Sequence, residues 1–398
     1  MKRVFAGHCS LWVTLALLGP SASALAQSQE AVESKARLTG NIQTTDYLVP
    51  HISTVPATVG KRVSLFVREK VQTRKIGKAP VVLMIAGTTV SALPAFDVPF
   101  ENYSWMEYLA NAGFDVFTLD LTGYGLSPRP MMENACNAAA ADQQTLLVPK
   151  TLAQPCPPAY PSRLTTSQSD WDEIDAVVDY LRQRRGVDKV HLIGWSLGGP
   201  RAGGYAARHP EKVDKLFIYA PLYDRLEPAG PPAVLPEAGV PIAIRTISSF
   251  YTTWNNQVKC ANQFNPGIRD AIRTRMLDFD PLGSIWGSEE LWRSPVQNTR
   301  WGWNPPSVRQ VKAPTLVISG DLDTTAPQVQ ATNLFADLVS VPQKVFVHVA
   351  CTAHQIVWEN QHMVLLDASV EWLKQGTYRG NFNGSFAVDA AGQVRQEQ

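Results

Sequence analysis

The chain has 398 residues, 45% of them hydrophobic and 18% charged, with a formal net charge of +1. That length suits one large domain with insertions or two modest ones, and the composition is that of a globular protein with a sizeable core. It excludes a disordered, collagen-like or multi-pass membrane chain, and the near-neutral charge gives no electrostatic reason to expect nucleic acid or an anionic membrane as partner.

Residues 1–26 read as a signal peptide. Lys2 and Arg3 give a positive start, 11–18 is apolar apart from Thr14, and Gly19 and Pro20 lead to Ala24-Leu25-Ala26. A basic region, an apolar region and an A-x-A site in that order predict export, to the periplasm or outside, with cleavage after Ala26. The apolar run is too short to span a hydrocarbon core of ~30 Å, so no stable membrane anchor is expected. Cleavage would remove Cys9 and leave Cys136, Cys156, Cys260 and Cys351. Four cysteines in an oxidising compartment suggest two disulfides. Cys136 and Cys156 share one Pro/Ala-rich loop, and Cys260 with Cys351 follows by elimination; free buried thiols are the alternative.

After a polar lead-in over 27–42, the alternation at 61–71 predicts an edge strand. The continuous apolar run 79–86 predicts a strand buried on both faces. A helix is expected at 103–112 and a strand at 114–119. The stretch 128–165 reads as a long surface loop. A helix follows at 170–184, a strand at 189–193, a helix at 197–208 and a strand at 213–219. Residues 223–310 are rich in Pro and Trp and lack clear strand signals. The alternation resumes with a strand at 315–319, a helix at 328–338, a strand at 344–349 and a helix at 363–374. This pattern predicts a doubly wound, mostly parallel α/β sheet. Its core would comprise 27–222, with the 128–165 loop inserted, and 311–375. A lid or cap would occupy 223–310, and 376–398 would be a flexible tail.

The central motif is Gly194-Trp195-Ser196-Leu197-Gly198. It follows a predicted strand and opens a predicted helix, the context of a nucleophile elbow. The turn is so tight that side chains at the flanking positions would clash, hence the two glycines. It would lift the Ser196 hydroxyl clear of the sheet and set the Leu197 amide at a helix N-terminus, where it can hold an oxyanion. A serine hydroxyl needs a base, and the base an orienting acid. Of the downstream histidines, His209 ends the elbow's helix and His348 lies within a strand. His354 follows that strand in a loop and fits the base position, and His362 is a distant second. The acid is Asp321 or Asp323, both just after the 315–319 strand. A second oxyanion donor is expected from the loop 86–89, at the Thr88 amide, where Gly87 permits close approach.

These stretches together resemble the α/β-hydrolase superfamily. Residues 85–89, 120–127, 194–198, 320–327 and His354 match in the order that family uses, across about 80–355. The resemblance implies an α/β-hydrolase fold with an inserted lid and acyl-enzyme chemistry. The family's Gly-x-x-Asp-x-x-x-Pro pattern falls on Gly320, Asp323 and Pro327, which favours Asp323. The family's early loop often reads His-Gly, and here Ala86 stands in place of that His. Epoxide hydrolases and haloalkane dehalogenases share the fold but carry Asp at the elbow, so Ser196 disfavours their chemistry. The leading expectation is a serine hydrolase that cleaves a small-molecule carboxylic ester, with Ser196, Asp323 and His354 as triad. The rivals are an acyltransferase, an amidase or a C–C bond hydrolase on the same residues, and a non-catalytic binding protein. No metal or nucleotide motif is present, and no cofactor is expected. Aromatic residues at 250, 251, 254, 264, 286, 292, 301 and 303 would either line an apolar or aromatic ester pocket or form the lid's own small core.

Overall fold

The structure, a computed structural model, describes residues 41–397 and the backbone of 32–33 and 37–39. The predicted signal peptide therefore lies outside the described residues. The strands in chain order are β1 Val32–Glu33, β2 Arg37–Thr39, β3 Ile42–Ile52, β4 Arg62–Gln72, β5 Val81–Ile85, β6 Asp115–Leu119, β7 Val190–Trp195 and β8 Val213–Tyr219. They continue as β9 Ile242–Thr246, β10 Leu291–Pro295, β11 Thr315–Gly320, β12 Lys344–Val349, β13 Gly384–Val388 and β14 Val394–Glu397. One large sheet runs β1-β3-β4-β6-β5-β7-β8-β11-β12-β13-β14, with β2 beside β3. From β6 to β13 every pairing is parallel, and antiparallel strands close both ends.

The apolar runs behave as a sheet covered on both faces requires. Along β5, Val82 and Met84 join one hydrophobic layer, while Val81, Leu83 and Ile85 join the other. The helices Trp105–Asn111 and His362–Gln375 cover the first face through Trp105 and Trp372. The helices Ser167–Arg185 and Gly198–Arg208 cover the second through Trp171, Ile174 and Tyr205. The long helix opens on a capping box between Thr166 and Ser169 and closes on left-handed Gly186.

Four features differ from the sequence reading. The 61–71 strand is internal, because β3 covers it over eleven paired residues; Pro50 and His51 blur the alternation of β3 itself. The 128–165 stretch folds onto the β9–β10 ribbon instead of lying loose. Met132, Ala138, Leu147 and Leu164 pack with Ile242, Ile244, Trp286 and Leu291 in a small separate core. Residues 223–310 do contain strands, whose side chains serve that core and so lack the pattern of the main sheet. Over the described residues 376–397 the tail is not loose: β13 extends the sheet parallel to β12, and β14 folds back on it. Its polar composition suits an edge ribbon. Among the described residues, no helix is long and apolar enough to cross a membrane.

His348 fastens this terminal ribbon. Its Nδ1 lies 2.8 Å from Asp321 Oδ1, and its Nε2 lies 2.9 Å from Glu397 Oε1. The bond to Asp321, with Glu397 adding, raises its pKa to about 9 against the burial that opposes charge. A folded-state pKa raised above the ordinary value of about 6.5 stabilises fully below that value. The contribution is lost as pH rises through 9. We expect His348→Gln to lower the unfolding midpoint at pH 6.5, and the gap from wild type to close by pH 10. A gap that stays constant with pH would show that His348 contributes by packing alone.

Candidate active site

The turn after β7 is as tight as its glycines imply. Ser196 has φ of 58°, in the left-handed region where a non-glycine residue is strained. A Cβ on Gly194 would stand 2.3 Å from the Gly198 carbonyl oxygen, and one on Gly198 would stand 2.2 Å from that of Ile85. The strained residue is held from both sides. The Ser196 amide donates to the Tyr219 carbonyl at 2.9 Å, and its carbonyl accepts from Gly199 and Leu222. Leu197 then leads into the helix Gly198–Arg208.

His354 and Asp323 meet from separate loops at the ends of β12 and β11. His354 Nδ1 lies 2.7 Å from Asp323 Oδ2, and both side chains are buried. The other carboxylate oxygen of Asp323 accepts from the Thr325 and Ala326 amides at 2.8 and 2.7 Å. Asp321, the other candidate acid, turns to His348 instead. His362 is committed elsewhere, with Nδ1 at the Glu359 carbonyl, Nε2 at Asn102 and its ring stacked on Tyr103. His209 stacks on Tyr205.

Ser196 and His354 open into the same cleft, about 120 Å³ in volume, together with Gly87, Thr88 and Trp195. Among the described residues, neither Ser196 Oγ nor His354 Nε2 makes a hydrogen bond, and the amides of Thr88 and Leu197 are likewise unspent. A Cβ on Gly87 would approach Ser196 Cβ to 2.9 Å, so only glycine lets this loop lie against the serine. Of the ten aromatic residues in the 223–310 segment, Phe250 and Trp292 face the cleft. Trp254 belongs to the main core and Trp286 to the small one, while Trp301 and Trp303 pack on the opposite face of the sheet.

Three groups that the sequence reading missed hold these loops. Arg201, buried in the helix after the elbow, donates from Nη1 to the carbonyls of Ala86 and Gly87, both at 3.1 Å. Its Nε pairs with Asp170 at 2.7 Å. Burial works against its charge, but Asp170 and Tyr124 outweigh that and its pKa is raised. A trans peptide is planar, with C=O and N–H on opposite sides. Pinning the Gly87 carbonyl on Arg201 therefore turns the Thr88 N–H the other way. A cation in the first turn of a helix opposes the helix dipole, and an Arg within Gly-Gly-Pro-Arg-Ala-Gly-Gly was the signal available. Gln257 is the second group: its Oε1 accepts from the His354 and Thr324 amides, both at 3.2 Å. Glu359 is the third, accepting from Ala353 N and from Trp254 Nε1, both at 2.8 Å. The Cys260–Cys351 disulfide, S–S 2.09 Å, ties the segment carrying Gln257 to the loop carrying His354. Cys136 and Cys156 are bonded at 2.05 Å within the 128–165 excursion.

Asp120 is a brace. Its two oxygens accept from the Ala92 amide at 2.8 Å and the Leu126 amide at 3.1 Å. Gly125 passes so close that its Cβ would overlap that carboxylate. Among the described residues, no group of three or more His, Cys, Asp and Glu is placed to hold a metal ion.

The model of the α/β-hydrolase fold matches residues 80–242, from β5 through the elbow to β9. The chain has the α/β-hydrolase fold. Among solved structures, this chain is similar to the meta-cleavage product hydrolase of Pseudomonas fluorescens. The TM-score is 0.51 at 15% identity, covering 82% of this chain and 98% of that one. At that identity the likeness speaks for the fold. Sequence relatives match over short stretches. A poly(3-hydroxyalkanoate) polymerase subunit of Allochromatium vinosum is 54% identical over 43 residues, 11% of this chain and 12% of the relative. The (lyso)-N-acylphosphatidylethanolamine lipase of Mus musculus is 26% identical over 133 residues, 32% of this chain and 37% of the relative. The chain thus spans well under two thirds of the length of these relatives.

Proposed function

We propose that the protein is an exported serine hydrolase that cleaves small carboxylic esters through an acyl-enzyme on Ser196. The observation that carries this reading is the shared cleft: a serine on a strained elbow and a histidine already bonded to a buried carboxylate open into it together. His354 takes the Ser196 proton as the hydroxyl attacks the ester carbonyl. The Leu197 and Thr88 amides hold the oxyanion. Asp323 keeps the Nδ1 proton of His354 in place and stabilises the imidazolium. His354 then protonates the departing alcohol, and a water deprotonated by His354 releases the acid. The Ser196–His354 hydrogen bond forms as substrate enters, since such bonds commonly tighten in the substrate complex. The 223–310 segment serves as lid, with Phe250 and Trp292 forming the apolar wall. Two disulfides suit an oxidising compartment, in line with the predicted signal peptide.

The test is hydrolysis of p-nitrophenyl esters from acetyl to palmitoyl. We expect turnover with a maximum at short to medium chains, because the cleft is small. Absence of turnover by folded protein across the series would remove the ester reading. Acyl transfer to an alcohol is the second reading, favoured by the match to the polymerase subunit. A transfer product that outgrows the hydrolysis product when an alcohol acceptor is added would select it.

Arg201 gives a sharper check on the oxyanion assignment. We expect Arg201→Gln to lower kcat about 100- to 1,000-fold, the effect of losing one oxyanion donor. KM should move little, and Arg201→Lys should recover part of the loss. A rise in KM at constant kcat would place Arg201 outside this role.

A further inference from the structure

Among the described residues that line the cleft, one carries a permanent positive charge, the solvent-exposed Arg245. Arg245 lies in β9 directly opposite Trp292 of β10. Side chains opposite each other in an antiparallel pair leave on the same face, and both of these line the cleft. Among the described residues, Arg245 makes no ion pair and no hydrogen bond. Asp142 is within its electrostatic reach: the Asp142 carboxyl is raised by burial and drawn back by Arg245. Other arginines of this region are committed: Arg129 and Arg293 to Asp280, and Arg273 to Glu290. A second unspent group stands beside the histidine. Gln355 is 4% exposed and lines the same cleft, and its side-chain oxygen is buried without a partner. Buried amides are normally satisfied, and among the described residues this oxygen has no hydrogen-bond partner. Among the described residues, no carboxylate lines the cleft to neutralise Arg245.

We propose that the natural substrate is an ester bearing a carboxylate remote from the scissile carbonyl, and that Arg245 holds that carboxylate. The inference rests on the ester-hydrolase reading above and names its substrate class. A guanidinium presents a planar fork that fits a carboxylate with two parallel hydrogen bonds. The apolar wall formed by Val90, Phe250 and Trp292 accommodates the hydrocarbon between the two polar ends. Gln355 offers hydrogen bonding near the reacting end. Hydrolysis of such a half-ester consumes one water and yields a dicarboxylate, an alcohol and one proton released to solvent, with no other reactant.

The test compares monomethyl glutarate, with a remote carboxylate, with dimethyl glutarate, whose remote end is a neutral methyl ester, with rates expressed per ester group. We expect wild type to favour the half-ester about tenfold in kcat/KM, the scale of one charge-assisted contact at a partly open site. The preference should shrink with added salt, fall to near one in Arg245→Gln and recover in part in Arg245→Lys. Equal rates on the two esters in wild type, or a preference kept by Arg245→Gln, would overturn the proposal. Binding separates it from the chemistry. Ser196→Ala should bind the half-ester about tenfold more tightly by calorimetry, and Ser196→Ala with Arg245→Gln should not. Discrimination in binding without turnover by wild type would keep the anion site and remove the ester reading. Turnover without discrimination would do the reverse.

Discussion

Ser196→Ala is expected to lower kcat for ester hydrolysis by about a million-fold, to the level left by binding and the oxyanion donors alone. The fold should not suffer. Among the described residues, Ser196 Oγ holds no hydrogen bond, so its removal orphans no buried partner. Alanine at φ of 58° carries the same backbone strain as serine. The unfolding midpoint should therefore stay within a few degrees of wild type while activity disappears. A variant that keeps a tenth of the activity would mean that another nucleophile acts in the cleft.

Asp323→Asn is expected to lower kcat about ten-thousand-fold, as loss of the orienting carboxylate does in serine hydrolases. Asp323 Oδ1 is already committed to two amides and Oδ2 to His354, so an amide here leaves one NH2 facing a donor. That either breaks the bond or fixes the wrong tautomer of His354. Asp321→Asn is the control, because Asp321 meets His348 and not His354. It should keep kcat within a few-fold and change only the pH dependence of stability. A comparable loss of kcat in both variants would undo the assignment of Asp323.

The contrast between these two aspartates shows what was legible in the sequence. Both stand in one short loop, and residue type alone leaves them equivalent. The spacing to Gly320 and Pro327 favours Asp323, and the structure places its carboxylate against His354. The parallel strands could be read because each is a short apolar run buried on both faces, as β5 is through Val82, Met84 and Leu83. The elbow was legible because its strand–turn–helix pattern is local and Gly194 answers to the nearby Gly198 carbonyl, although Gly198 answers to the distant Ile85 carbonyl. The parts that were not legible depend on distant partners. Arg201 acquires its role only when Ala86 and Gly87 are brought beneath it. Gln257 and Glu359 have no local signature at all; tertiary packing places them behind the histidine loop. The terminal ribbon escaped notice because an edge strand needs only one apolar face, and here Phe386 and Val388 supply it. The aromatic residues of 223–310 divide among four apolar clusters and the cleft, a partition that composition does not encode.

The most direct test of the central claim is covalent. Wild type and Ser196→Ala are treated with a fluorophosphonate, and intact masses and digests are recorded. The account predicts one adduct per chain in wild type, located on Ser196, formed faster than in His354→Gln and absent from Ser196→Ala. An adduct of equal yield on Ser196→Ala, or none on active wild type, would contradict a Ser196 nucleophile.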